Sequence, residues 1–215
     1  GSPLADIAMA MGTTGTKKVA VIFVYFNDTN FEVGEIASYT TVGTGYLARL
    51  VTFYTEVSYG ELSLTIDKLD NGGTGFFLNH AMSYYGAGEN EPEIQELFRD
   101  AVNAAGITKA GGGYDALMVV HAGVGQESEY VDENIYSLFT PIIPYAGGFT
   151  EGCTVPAKEA WENKPFGVIC HEFGHQLGLP DLYNTDMGTS VVGEWDLMDY
   201  GPWVDYGNSP PHPST

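Results

Sequence analysis

His171 and His175 stand four residues apart, with Glu172 beside the first, in the segment Phe166-Gly167-Val168-Ile169-Cys170-His171-Glu172-Phe173-Gly174-His175-Gln176-Leu177-Gly178-Leu179-Pro180-Asp181. On a helix, residues four apart share a face, so both imidazoles can meet one ion while Val168, Ile169, Phe173 and Leu177 turn to a core. Glu172 is displaced around the helix from that pair and can reach a metal-activated water without ligating the metal. The ligand types suit zinc, and an open zinc site needs a third protein ligand. Gly178, having no Cβ, can turn the chain left-handed just past the second histidine and return Asp181 beneath the helix. The expected chemistry is hydrolysis of a peptide bond, with His171, His175 and Asp181 on Zn2+ and Glu172 as general base.

Two alternatives compete with that reading. Glu194 lies roughly twenty residues past the second histidine, where a thermolysin-like enzyme carries its third ligand on a second helix. Here the surrounding Val192-Gly193-Glu194-Trp195-Asp196 is glycine-broken rather than helical. An inactive zinc-stabilised binding or adhesion domain would have no need of an acid at Glu172.

A second element is the apolar turn Trp195-Asp196-Leu197-Met198-Asp199-Tyr200-Gly201. A metzincin-type Met-turn sets a thioether under the metal ligands as an apolar floor that does not compete for zinc, and Met198 fits that role. Tyr200 is a candidate transition-state stabiliser through its hydroxyl, against the alternative of an ordinary wall tyrosine. Cys153 and Cys170 are a candidate disulfide bracing the motif helix, against two buried free thiols. His121 ends an apolar strand, either as an ordinary strand-end histidine or at a cleft edge that pairs with extended substrate. His80 and His212 have no partners at ligand spacing and read as surface residues. Asp28, Glu127, Asp186, Asp196 and Asp199 are conceivable Ca2+ oxygens, although no loop has EF-hand spacing.

These residues need a scaffold, and the apolar pattern supplies one. Lys17 to Phe26 is β-branched and nearly continuous in its apolar content, as in a strand buried on both faces. Tyr46 to Tyr59 and Glu91 to Ala105 repeat at helical spacing and are closed by Gly60 and Gly106. Strands are expected at Glu61 to Leu69, Asp115 to His121 and Ile135 to Ile143, followed by a helix over about 157 to 177. No internal repeat and no composition break before about Pro210 argue for one catalytic domain over 17–215, after an N-terminal remnant or linker over 1–16. Its upper lobe is expected over about 17–178 and its lower lobe over about 179–215.

Hydrophobic residues make up 44% of the 215, enough for a folded core rather than a disordered chain. With 8 Lys+Arg against 28 Asp+Glu, the formal charge of -20 argues against nucleic-acid and anionic-membrane partners, whose binding rests on basic residues. No apolar run reaches the length of a membrane span. Gly1-Ser2-Pro3 reads as a cloning remnant, and Ala5 to Met11 is too short for an intact signal peptide.

The motif His171-Glu172-x-x-His175-x-x-Gly178-x-x-Asp181, the turn from Trp195 to Met198, Tyr54-x-Glu56-Val57-Ser58-Tyr59-Gly60 and His121-Ala122-Gly123-x-Gly125-Gln126-Glu127 together resemble the immune inhibitor A family of bacterial metallopeptidases. These are metzincin-like enzymes whose third zinc ligand is aspartate. The resemblance implies an α+β, zincin/metzincin-like catalytic domain: a mixed twisted sheet, an active-site helix and a small C-terminal lobe. It also implies a secreted, calcium-assisted endopeptidase acting on protein or peptide substrates, made with a propeptide and additional C-terminal domains. The sequence departs from the pattern in two places. Tyr136-Ser137-Leu138 lacks an expected histidine, and a Leu-Gly-Trp stretch expected beyond the Met-turn does not precede Pro210 to Thr215, so a truncated lower lobe is expected.

Overall fold

A computed structural model describes residues 12–86, 92–129, 131–185 and 187–214. The chain runs β1 (Gly15–Tyr25), α1 (Glu35–Thr40), α2 (Tyr46–Val57), β2 (Leu62–Leu69), β3 (Phe76–Phe77), α3 (Met82–Tyr85), α4 (Pro92–Ala105), α5 (Lys109–Gly112), β4 (Ala116–Val124), α6 (Gln126–Glu129), β5 (Leu138–Ala146), β6 (Phe149–Lys158) and α7 (Phe166–Gln176). Short 3-10 turns follow at Gly193–Trp195 and Gly201–Trp203.

The sheet order is β2-β1-β4-β6-β5, with β3 also pairing β1. β5 is antiparallel to β6, whereas the other pairings are parallel, so the sheet is mixed as expected. β1 is covered on both sides. Val19, Val21 and Phe23 join one apolar cluster with α1, α2 and α7, while Ala20, Ile22 and Val24 join another with α3 and α4. All six are fully buried, which is why that strand reads as a continuous apolar run rather than an alternation. The cluster on the α7 side also takes in Leu197 and Met198, so the segment after the motif packs directly under the motif helix.

Two expectations need correction. The motif helix starts at Phe166, not near residue 157, because Phe149 to Lys158 is a strand. Gly152 and Pro156 disguise it. A Cβ at Gly152 would come 2.9 Å from the Phe98 ring, so the helix α4 closes over that glycine. Pro156 lies past Thr154, the last residue that β5 pairs, at an edge where proline is tolerated. The second correction concerns His121. β4 is flanked by β1 and β6, with His121 in register with Val24 and Pro156, so its strand has no edge to offer a substrate.

Candidate active site

The motif helix ends as its composition requires. Gly178 has φ of 90°, a left-handed conformation that a side chain would strain, and the N–H groups of Gly178 and Leu179 bond back to the carbonyls of His175 and Gly174. This turn does two things for the histidines. It brings Asp181 to within 3.2 Å of His171 Nε2 and 3.3 Å of His175 Nε2 through the same Oδ1 atom. It also places the Leu179 carbonyl 2.8 Å from His175 Nδ1.

His171 is held in the same way from the other side, with Nδ1 2.9 Å from the carbonyl of Leu197. Because a carbonyl can only accept, each Nδ1 carries a hydrogen, and in the neutral ring each Nε2 is left as an acceptor facing the other, at 3.2 Å. Three acceptor atoms therefore converge with edges of 3.2, 3.2 and 3.3 Å. Two donors held ~2.0–2.1 Å from one tetrahedral ion would be separated by about 3.3 Å, so the triangle has the dimensions of a zinc-ligand face. Asp181 Oδ1 is buried and makes no hydrogen bond, as expected of an oxygen reserved for a cation.

The electrostatics ask for positive charge as well. Burial disfavours a charged His171, but Asp181, Glu172 and the Leu197 carbonyl outweigh it and raise the imidazole to about 9. Burial likewise works upward on Asp181, yet the two histidines hold its carboxyl well below the usual range. Glu172 is buried beside them, and desolvation lifts its carboxyl to about 7 against the pull of His171 and His175. Its Oε2 has no hydrogen-bond partner.

Met198 is buried and comes against α7 between the histidines: a Cβ at Gly174 would lie 3.0 Å from its Sδ and 3.1 Å from the Tyr54 hydroxyl. The glycine in the middle of the motif is thus what lets the turn approach the helix. Asp196 accepts from the Met198 N–H at 2.7 Å, and the Leu182 N–H reaches the Met198 carbonyl at 2.8 Å, stitching the Asp181 loop to the turn.

Several candidates land elsewhere. Glu194 is exposed and belongs to no metal-competent group among the described residues, which removes the thermolysin-like alternative. Tyr200 donates its hydroxyl to the Gly188 carbonyl at 2.8 Å. Cys153 and Cys170 are buried free thiols rather than the expected disulfide; they sit in one apolar cluster, where Gln176 Nε2 donates to Cys153 Sγ at 3.0 Å and desolvation pushes both thiols well up. Burial pulls His121 down to about 4, so it is a neutral interior histidine bonded through Nδ1 to the Ala122 carbonyl.

Of the conceivable calcium oxygens, Asp186 lies outside the described residues. Asp28 accepts from the Met82 N–H, and Asp196 bonds the N–H groups of Met198 and Ser214. Asp199 Oδ2 gathers the N–H groups of Val191, Val192 and Gly193 with the Ser190 hydroxyl. Backbone groups thus take both oxygens of Asp196 and one each of Asp28 and Asp199, while Asp199 Oδ1 is buried without a hydrogen-bond partner. The sequence reading missed the carbonyls of Leu179 and Leu197 and the Tyr54 hydroxyl, which donates to the Cys170 carbonyl at 2.6 Å and ties α2 to α7. Only Tyr54 had a signal, as a polar-tipped residue on the apolar face of its helix.

A mixed sheet backed by a helix that presents two histidines and an acid, with an aspartate returned beneath it, is the arrangement of a metallopeptidase catalytic domain. The pattern of the family described as Immune inhibitor A peptidase M6, catalytic domain, matches residues 154–213, from β6 through the motif and the turn. Immune inhibitor A of Bacillus thuringiensis subsp. alesti is 34% identical over 108 residues, which cover 42% of this chain and 15% of that protein. Pre-pro-metalloprotease PrtV of Vibrio cholerae serotype O1 is 50% identical over 40 residues, covering 18% of this chain and 4% of that protein. Over residues 154–213, the segment that carries the site, the chain is thus similar to the immune inhibitor A peptidases, and it spans only a small part of the length of the relatives it matches.

Proposed function

We propose that this chain is the catalytic domain of a secreted zinc-dependent endopeptidase, with His171, His175 and Asp181 as metal ligands and Glu172 as general base. The observation that carries the proposal is the triangle of three acceptor atoms, two of them fixed in tautomer by backbone carbonyls, beside a buried carboxylate oxygen with no partner. Zinc bound there would supply Lewis-acid polarisation of the scissile carbonyl and acidify water.

The chain's own residues do the rest. The carbonyls of Leu197 and Leu179 would keep both Nε2 atoms aimed at the ion. Glu172 Oε2 accepts the proton of the attacking water and hands it to the departing amine, a transfer suited to a carboxyl that burial has lifted toward neutrality. Met198 forms the apolar floor, and residues 179–215 form the lower wall of a cleft beneath 17–178. Tyr200 could assist a developing oxyanion only after its hydroxyl leaves the Gly188 carbonyl. A buried Glu172 with an unbonded Oε2 would be a cost without a return in a domain that used zinc only for stability. The substrates are proteins or extended peptides, and a propeptide and further domains accompany the catalytic domain.

The test is cleavage of denatured casein. Activity should vanish on chelation and return with one equivalent of Zn2+ per chain; cleavage that persists in the metal-free protein would contradict the proposal.

A further inference from the structure

On the opposite face of the sheet, α4 carries Glu96 and Asp100 one helical turn apart, and His80 approaches them from the segment between β3 and α3. A ring nitrogen of His80 and one carboxylate oxygen from each acid lie within 4.8 Å of one another. All three line one hollow of about 310 Å³, together with Phe77, Leu78 and Asn79. The sequence offers no such pairing, because His80 is 16 residues from Glu96 and meets it only through the fold.

Two features orient these side chains toward one another. The Tyr84 hydroxyl donates to Glu96 Oε2 at 2.8 Å and the Tyr85 hydroxyl donates to Asp100 Oδ2 at 2.7 Å, which orients each carboxylate and leaves its other oxygen available. The His80 ring stacks on Tyr84 at 4.0 Å between centroids and stands edge-on to Tyr85 at 5.8 Å, so the imidazole is oriented by the same two tyrosines. Among the described residues, neither Glu96 nor Asp100 has a Lys or Arg partner. Two like charges a turn apart on one helix oppose its formation unless a cation lies between them.

We propose that His80, Glu96 and Asp100 form a second divalent-metal site, structural rather than catalytic, that takes Zn2+ or a similar first-row ion and staples the β3–α3 segment to α4. An imidazole with two carboxylates selects such an ion over Ca2+, which takes oxygen ligands. Hydroxyl groups bonded to the ligating carboxylates are the outer support that metal sites use to fix ligand orientation. With water filling the remaining positions and no backbone enclosure, the site binds more weakly than the His171 group.

The experiment is Zn2+ binding to the whole chain by equilibrium dialysis with metal analysis, alongside thermal unfolding. The expected result is two Zn2+ per chain in two affinity classes. His80→Ala should weaken the lower-affinity class at least tenfold, as should Glu96→Gln with Asp100→Asn, with casein cleavage at one equivalent of Zn2+ unchanged. His171→Ala with His175→Ala should abolish the tighter class and keep the weaker one, so failure at either site is told apart from failure at the other. Zn2+ beyond one equivalent should raise the unfolding temperature of wild type but not of His80→Ala. Circular dichroism checks that each variant is folded, and the glutamine-asparagine pair decides the matter if His80→Ala is not. A single Zn2+ at saturation would overturn the proposal. So would a second Zn2+ bound equally by wild type and both variants, which would be diffuse binding to the acidic surface.

Discussion

Around His171, three acceptor atoms crowd together, partly buried, whereas elsewhere in the molecule two glutamates, Glu127 and Glu159, do something similar with carboxyl groups alone. Glu159 is only 4% exposed, and burial followed by the charge of Glu127 pushes its carboxyl well above the ordinary range, with Ser128 opposing. Glu127 is pushed up too, first by burial, while Ser137 pulls the other way. The histidine group cannot relieve its crowding at Nδ1, because those hydrogens are committed to the Leu179 and Leu197 carbonyls. It presents nitrogen and oxygen at an ion's spacing, and a metal would resolve it. The glutamate pair presents carboxyl oxygens alone in a desolvated place, and a retained proton resolves it. On the proposed reading, the same electrostatic conflict would end as a metal site or as a retained proton, according to which atoms are offered and how they are fixed.

Removing an acceptor should separate the two cases. Asp181→Ala should cost more than the ~10–100-fold in Zn2+ affinity that losing an outer support costs, since it takes away a ligand. Glu159→Gln should leave Zn2+ stoichiometry alone. Competition with a metallochromic chelator measures both. Loss of Zn2+ on Glu194→Ala in place of Asp181→Ala would reverse the assignment.

The next contrast is in pH. A carboxyl whose folded pKa is raised keeps its proton after the unfolded chain has lost it near pH ~4.3, so the folded state binds more protons and stability falls as pH rises above that point. One retained proton gives a slope of up to ~1.4 kcal/mol per pH unit. Between pH 5 and 8, urea unfolding of Glu159→Gln should therefore show a shallower loss of stability than wild type. Equal slopes would mean that the pair holds no proton.

A smaller effect bears on the scaffold behind the histidines. With both thiols buried, pushed up by desolvation and unlinked, native protein should alkylate slowly at Cys153 and Cys170. Two thiols should react after denaturation without reductant. A single disulfide-linked species by intact mass would contradict the structure.

How much of this was legible in the sequence follows from where the information sits. The motif from Phe166 to Asp181 could be read because helical spacing and one glycine turn place all four chemical side chains within sixteen residues. β1 was legible because burial on both faces leaves an unbroken apolar run. β6 was not, since Gly152 answers to Phe98 and Pro156 to the end of β5, neither of which is local. The carbonyls that set the tautomers of His171 and His175 were invisible for a different reason, as every residue has a carbonyl and only the fold says which one arrives. Glu127 with Glu159, and His80 with Glu96 and Asp100, come together only through the sheet and its helices.

The central claim is that His171, His175 and Asp181 hold the metal while Glu172 moves the proton, and Glu172→Ala tests both halves in one preparation. Zn2+ content and the rate of casein cleavage are measured on the same folded protein beside wild type. The account predicts one tightly held Zn2+ in both and a rate lower by ~10²- to 10⁴-fold in the variant, the range that general acid-base help supplies. A folded Glu172→Ala protein that keeps its Zn2+ and still cleaves casein at the wild-type, chelator-sensitive rate would contradict it.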